Sequence, residues 1–237
     1  MAQLVVALDL DDAAQARELA ALCSSERVKY VKVGMQLFYS AGPGVVAMLR
    51  DQGVDVVLDL KLHDIPNTMA QAAKALARLG ASYVTVHAMA GKKGLAACVD
   101  AVGEWGCRLM AVTVLTSLGQ HELNSELGVP STVAEEVARL ATLAAEVGVD
   151  GIVCAAVDAP GVKSRFGERI QVMVPGVRPA WAAAPNDQVR VATPGEAAAM
   201  GADLVVVGRP VLKAPDRRRA LRLLLEELKG DETGHGA

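Results

Sequence analysis

Short runs of β-branched and apolar residues alternate along this chain with longer Ala- and Leu-rich stretches of helical period. That alternation is expected of a parallel sheet wrapped by helices. Eight runs are predicted as strands: Leu4 to Asp9, Tyr30 to Gly34, Asp55 to Lys61, Tyr83 to Ala88, Arg108 to Leu115, Gly151 to Ala156, Gln171 to Pro175 and Leu204 to Gly208. Between the third and fourth, Met69, Ala72, Ala73, Leu76 and Leu79 mark one helical face, with Pro66 suited to the first turn and Gly80 to the stop. Eight such units can close into a barrel or lie open as a doubly wound sheet. Charges predicted to point inside the sheet favour closure, so the expected fold is one (β/α)8-barrel domain over residues 1–237. The polar, Gly-rich tail from Gly230 to Ala237 is expected to fray.

Those interior charges come from reading the strands with a period of two. In Asp55 to Leu62, residues Val56, Leu58, Leu60 and Leu62 share the face toward the helices, which leaves Val57, Asp59 and Lys61 facing inward. The same parity turns Lys32 inward on the neighbouring strand and Asp9 inward at the end of the first. Asp64 follows in the loop before Pro66, near the same rim. An isolated interior charge is costly unless it is paired or sits at an open end. Asp9, Lys32, Asp59, Lys61 and Asp64 therefore form a candidate catalytic cluster, and the competing reading is a set of rim ion pairs that holds strands in register.

Two long inter-element segments, Ser117 to Val129 and Gly176 to Ala192, fall where barrels usually place function. The second carries Pro179, Pro185 and Ala182 to Ala184, and suits a lid. Arg178, the stretch Asn186 to Arg190, and Gly208-Arg209-Pro210 lie where barrels commonly bind phosphate. Thr116 and Ser117 are candidates for hydrogen bonds to a polar ring, while His63 and His87 read as structural hydrogen-bonding residues.

A net charge of -3 gives no electrostatic footprint for nucleic acid or an anionic membrane, and small-molecule chemistry is favoured. Cys23, Cys98, Cys107 and Cys154 form no metal or redox spacing and read as small buried residues. The start of the chain lacks the pattern of a signal peptide and no run is long enough to span a membrane, so the expected location is cytoplasmic.

The stretch Asp59-Leu60-Lys61-Leu62-His63-Asp64-Ile65-Pro66-Asn67-Thr68 resembles the signature of the orotidine 5′-phosphate decarboxylases. Further similarity runs the length of the chain in Ala7-Leu8-Asp9, Val31-Lys32-Val33-Gly34, Thr113 to Ser117, Val174 to Pro179, Asp187-Gln188 and Gly208-Arg209-Pro210. The resemblance implies decarboxylation of orotidine 5′-monophosphate by a homodimeric barrel with shared active sites and no metal or organic cofactor. It implies Lys61 as proton donor within a network completed by Lys32, Asp59 and Asp64. It further implies that Asp9 and Lys32 contact the ribose, and that Asp64 and Thr68 reach into the partner's site. Thr116 and Ser117 would lie near the pyrimidine, and Arg178, Gln188, Gly208 and Arg209 would hold the phosphate, with Pro175 among the substrate-contacting positions.

A related barrel family of Mg2+-dependent sugar-phosphate enzymes resembles this chain around the Asp-x-Lys-x-x-Asp spacing, but tends to carry an acidic residue where Lys32 stands. An ammonium there repels a metal ion. A barrel that binds phosphorylated ligands without catalysis is the third reading.

Overall fold

The computed structural model describes residues 2–182 and 192–229. Eight parallel strands close into a barrel in chain order. They are β1 (Gln3–Ala7), β2 (Tyr30–Gly34), β3 (Asp55–Leu62), β4 (Tyr83–His87), β5 (Arg108–Val112), β6 (Gly151–Val153), β7 (Gln171–Val174) and β8 (Leu204–Val207). The helices around them are α1 (Ala13–Ser25), α2 (Met35–Ala41), α3 (Gly44–Arg50), α4 (Pro66–Arg78), α5 (Gly91–Val102), α6 (Val133–Glu146), α7 (Ala159–Phe166), α8 (Pro194–Ala199), α9 (Arg209–Leu212) and α10 (Arg217–Lys229). The expected barrel is thus the observed one. Its β1–β8 pairing, Gln3 opposite Leu204 through Val6 opposite Val207, removes every sheet edge.

Several strands stop sooner than their apolar runs. The ladder ends at Ala7 rather than Asp9, at His87 rather than Ala88, and at Val112 rather than Leu115. It ends likewise at Val153 rather than Ala156, Val174 rather than Pro175, and Val207 rather than Gly208, whereas β3 runs one residue further, to Leu62. The cause is burial beyond the ladder. Leu8, Val114 and Cys154 to Ala156 remain buried after pairing has ceased, so hydrophobicity outlasts the strand.

Two apolar layers follow from the alternation. The outer one packs Val56, Leu58, Leu60 and the partly buried Leu62 against the helices; Met69, Ala73 and Leu76 of α4 belong to it. Pro66 occupies the first turn of α4, and Gly80 follows it with a positive φ of 87°. The inner layer fills the barrel with Val5, Ala7, Val57, Met110, Val112, Val153, Met173 and Val206. All four cysteines are buried, and burial pushes the thiols of Cys23 and Cys107 up to about 12.

The two barrel ends differ in chemistry. At the N-terminal end the first residues of β2, β4, β5 and β7 close the interior. Tyr83 Oη donates to Gln171 Oε1 at 3.1 Å, Arg108 donates to the same oxygen at 3.2 Å, and the Arg108 guanidinium lies 4.5 Å from the Tyr83 ring centre. Tyr30 meets Tyr83 edge-on at 5.6 Å. These contacts close this end of the barrel, and the cavities that reach its charged residues lie at the C-terminal end. No helix among the described residues is long and apolar enough to cross a membrane.

Candidate active site

Strand register assembles the charges at the open end. Ala7, Lys32 and Val57 lie level across β1, β2 and β3, and Gly34 lies level with Asp59. Lys32 therefore starts below Asp59 and extends upward. Its Nζ reaches Asp59 Oδ2 at 3.2 Å and Asp9 Oδ1 at 3.5 Å, while Lys61 Nζ reaches Asp59 Oδ1 at 2.8 Å. The result is an alternating chain, Asp9–Lys32–Asp59–Lys61. Burial alone would raise the Asp59 pKa, but attraction from Lys32 and then Lys61 overcomes it and holds the carboxyl below its ordinary range. The Lys61 side chain keeps 29% of its exposure, so its ammonium stays reachable from the open end.

The backbone beneath these groups is irregular. Leu58 pairs with Val84 and Leu62 with Val86, so Asp59, Leu60 and Lys61 together face the single residue Thr85. Such a bulge bends a strand and re-aims its side chains. Lys61 takes a left-handed φ of 50°, which costs a non-glycine residue about 1 kcal/mol. Its N–H donates to Thr85 Oγ1 at 2.9 Å, and the Thr85 hydroxyl donates to Asp59 Oδ1 at 3.0 Å. Thr85 is absent from the candidates read off the sequence.

A cavity of about 190 Å3 opens beside the cluster, lined by Asp9, Lys32 and Asp59 on one side and by Pro175, Gly208 and Arg209 on the other. It adjoins a second hollow of about 370 Å3, and Arg178 and Arg209 line both. Gly208 is needed for close approach: a Cβ there would stand 3.2 Å from the Ala7 Cβ and 3.3 Å from Asp9 Oδ2. One continuous recess thus runs from the Lys32 ammonium and the Asp59 carboxylate, which Lys61 also grips, to two guanidinium groups, which suits a ligand anionic at one end and reactive at the other.

Other candidates stand elsewhere. The Asp64 carboxylate accepts the Ile65 N–H at 2.6 Å and makes no ion pair with Lys61 or Lys32, so a single chain does not bring it into the cluster. Thr68 is exposed on the first turn of α4. Thr116 and Ser117 follow β5 at the open end but do not line the cavity. Gln188, the stretch Asn186 to Arg190, residues 183–191 of the expected lid segment Gly176 to Ala192, and the tail from Gly230 fall outside the described residues; Ala180–Ala182 form a 3-10 turn. His63 and His87 stack at 5.2 Å. Burial, then the neighbouring His63 and Lys61, push the His87 pKa down to about 4. Its neutral Nδ1 accepts the Met89 N–H at 3.3 Å, consistent with the structural role expected for it.

Among the described residues no group of three or more His, Cys, Asp or Glu side chains is placed to hold a metal ion. The rim carboxylates of Asp9 and Asp59 already have the Lys32 ammonium between them.

A family model described as Orotidine 5'-phosphate decarboxylase / HUMPS family matches residues 2–224. The chain belongs to this family. It is 46% identical over 209 residues to a protein named orotidine 5'-phosphate decarboxylase from Bacillus caldolyticus, covering 86% of this chain and 85% of the relative. A protein of the same name from Saccharophagus degradans is 43% identical over 228 residues, covering 95% and 94%. The crystal structure of orotidine 5'-phosphate decarboxylase from Lactobacillus acidophilus aligns with a TM-score of 0.84 at 35% identity, covering 96% of this chain and 99% of that one. The name these relatives carry is that of a carboxy-lyase.

Proposed function

We propose that this chain converts orotidine 5′-monophosphate to uridine 5′-monophosphate and CO2 as a step of pyrimidine nucleotide synthesis, with Lys61 as the proton donor and without a cofactor. The observation that carries the reading is the placement of Asp59 between the Lys32 and Lys61 ammonium groups, at the mouth of a recess whose far end is lined by Arg178 and Arg209. When the bond from the ring carbon to the carboxylate breaks, its electron pair stays on the ring and CO2 departs. No adjacent carbonyl delocalises that pair, so it must be stabilised by a nearby positive charge and quenched by a proton. Lys61 supplies both. Its proton forms the new C–H bond, and the neutral amine is reprotonated from solvent.

In this reading Asp9 and Lys32 bind the ribose, and Pro175, Gly208, Arg209, Arg178 and Gln188 surround the phosphate end. Thr116 and Ser117 approach the ring. The expected homodimer is supported by apolar side chains left exposed just past β2, β3 and β4: Met35 at 47%, Tyr39 at 72%, Ile65 at 67% and Met89 at 48%. Asp64 and Thr68 lie in the same exposed stretch as Ile65. A second copy packed there would receive Asp64 and Thr68 into its own site, which accounts for the absence of Asp64 from the cluster within one chain.

Mixing the purified chain with orotidine 5′-monophosphate is expected to produce a steady fall in ultraviolet absorbance that excess chelator leaves unchanged. A constant absorbance refutes the activity, and a rate abolished by chelator points instead to the Mg2+-dependent relatives. Arg209→Ala is expected to weaken binding of uridine 5′-monophosphate about 100-fold, about 2.8 kcal/mol, and binding of uridine by less than about threefold. Calorimetric titration with both ligands checks this; equal losses would remove Arg209 from the phosphate site.

A further inference from the structure

The bulge in β3 places one hydroxyl in a position that neither the signature nor the cavity lining identifies. Thr85 is 1% exposed and stands alone opposite Asp59, Leu60 and Lys61. It does not line the cavity, so it acts through its neighbours. An amide N–H can only donate, so the contact from Lys61 N at 2.9 Å uses a lone pair of Thr85 Oγ1. The hydroxyl proton is then directed to Asp59 Oδ1 at 3.0 Å. That oxygen is the one that also accepts Lys61 Nζ at 2.8 Å. One side chain therefore ties the Lys61 backbone, in its left-handed conformation, to the carboxylate that holds the Lys61 ammonium.

We infer that Thr85 is a positioning residue that sets where Lys61 delivers its proton, by fixing both the Lys61 backbone and the Asp59 carboxylate; the inference rests on the proton-donor reading above. Val has the shape of Thr but can neither accept the amide nor donate to the carboxylate oxygen, so Thr85→Val releases the Lys61 backbone and removes one contact that orients Asp59, while the ion pairs of Asp59 with Lys32 and Lys61 remain. Ser keeps the hydroxyl. A group that only positions should alter the rate of the chemical step and leave ligand binding nearly intact.

The test compares Thr85→Val, Thr85→Ala and Thr85→Ser with the parent chain by two readouts. The first is hydrogen exchange at the Lys61 amide, referenced to the Leu58 amide of the same strand. The second is steady-state turnover of orotidine 5′-monophosphate. In T85V and T85A the Lys61 amide is expected to exchange at least tenfold faster relative to Leu58, and kcat to fall about 100-fold with KM within about threefold. T85S is expected to restore both to within about threefold. T85A carries the same expectation as T85V and guards against the Val methyl itself displacing Asp59. Unchanged Lys61 exchange in T85V and T85A, kcat within twofold of the parent, or T85S as impaired as T85V would each overturn the inference. A parent chain that never decarboxylates would defeat the proton-donor reading, and with it the inferred effect on turnover. The exchange contrast would still decide separately whether the hydroxyl holds the Lys61 backbone.

Discussion

Lys61→Ala is expected to lose at least about 10⁴-fold in turnover of orotidine 5′-monophosphate while binding uridine 5′-monophosphate within about tenfold of the parent. The magnitude combines the two contributions that the proposed reading gives to a single ammonium. Delivery of a proton in the transition state contributes about 10²- to 10⁴-fold, and a preorganised charge at the site of developing negative charge about 10²- to 10³-fold. Neither acts on the product, so binding of the product nucleotide falls mainly to groups further along the recess, Arg178 and Arg209 among them. Single-turnover measurements with saturating enzyme separate the two effects. A variant that turns over at near-parental rate would remove Lys61 from the chemistry, and one that no longer binds the product would show that the substitution had disturbed the recess.

Much of the framework for that expectation is legible in the amino-acid sequence. Parity along Asp55 to Leu62 correctly assigns the outward leucines and the inward Asp59, because a strand buried on both faces has no other way to hide its apolar set. Lys32 follows from the same rule on the next strand. The bulge does not show itself: Asp59, Leu60 and Lys61 alternate as a regular strand would, and the added residues become visible only when β3 is set against β4. Thr85 is hidden for the same reason. A Thr between two valines is ordinary β-sheet composition, although Tyr83, Thr85 and His87 share the inward face of β4, and that alternation is the available signal. Asp64 differs from these, because the resemblance gives it to the partner's site and one chain shows only its local contact. Nearness along the chain suggests nearness in space, but the turn before Pro66 directs its carboxylate to the Ile65 amide. Apolar runs overestimate the strand ends because side chains past the ladder stay buried, and hydropathy reports burial rather than pairing.

Asp59→Asn tests the cluster from its anionic side, and the expected result is a loss of about 10³-fold in kcat accompanied by tighter substrate binding. The substitution keeps the shape and leaves Lys32 and Lys61 without the carboxylate that both now grip. With Asp59 neutral, the cluster's formal charge changes by one positive unit. In the proposed reading the substrate carboxylate lies beside Asp59 and its charge opposes binding, so the substrate of the variant should bind about tenfold more tightly relative to the product, which lacks that group. A fall in kcat with unchanged relative affinity would confine Asp59 to holding Lys61. Stability should move as well. Removing the shared partner of one buried and one partly buried cation costs about 3 kcal/mol at neutral pH. Because the Asp59 pKa is held below its unfolded value, its contribution is fully present above the ordinary carboxylate pKa and is lost as pH falls through the depressed folded value. Urea unfolding of parent and variant should therefore differ most at neutral pH and converge in strong acid. A difference that persisted unchanged into acid would show that the lost stability came from packing, and that the two lysines do not hold the Asp59 carboxyl ionised.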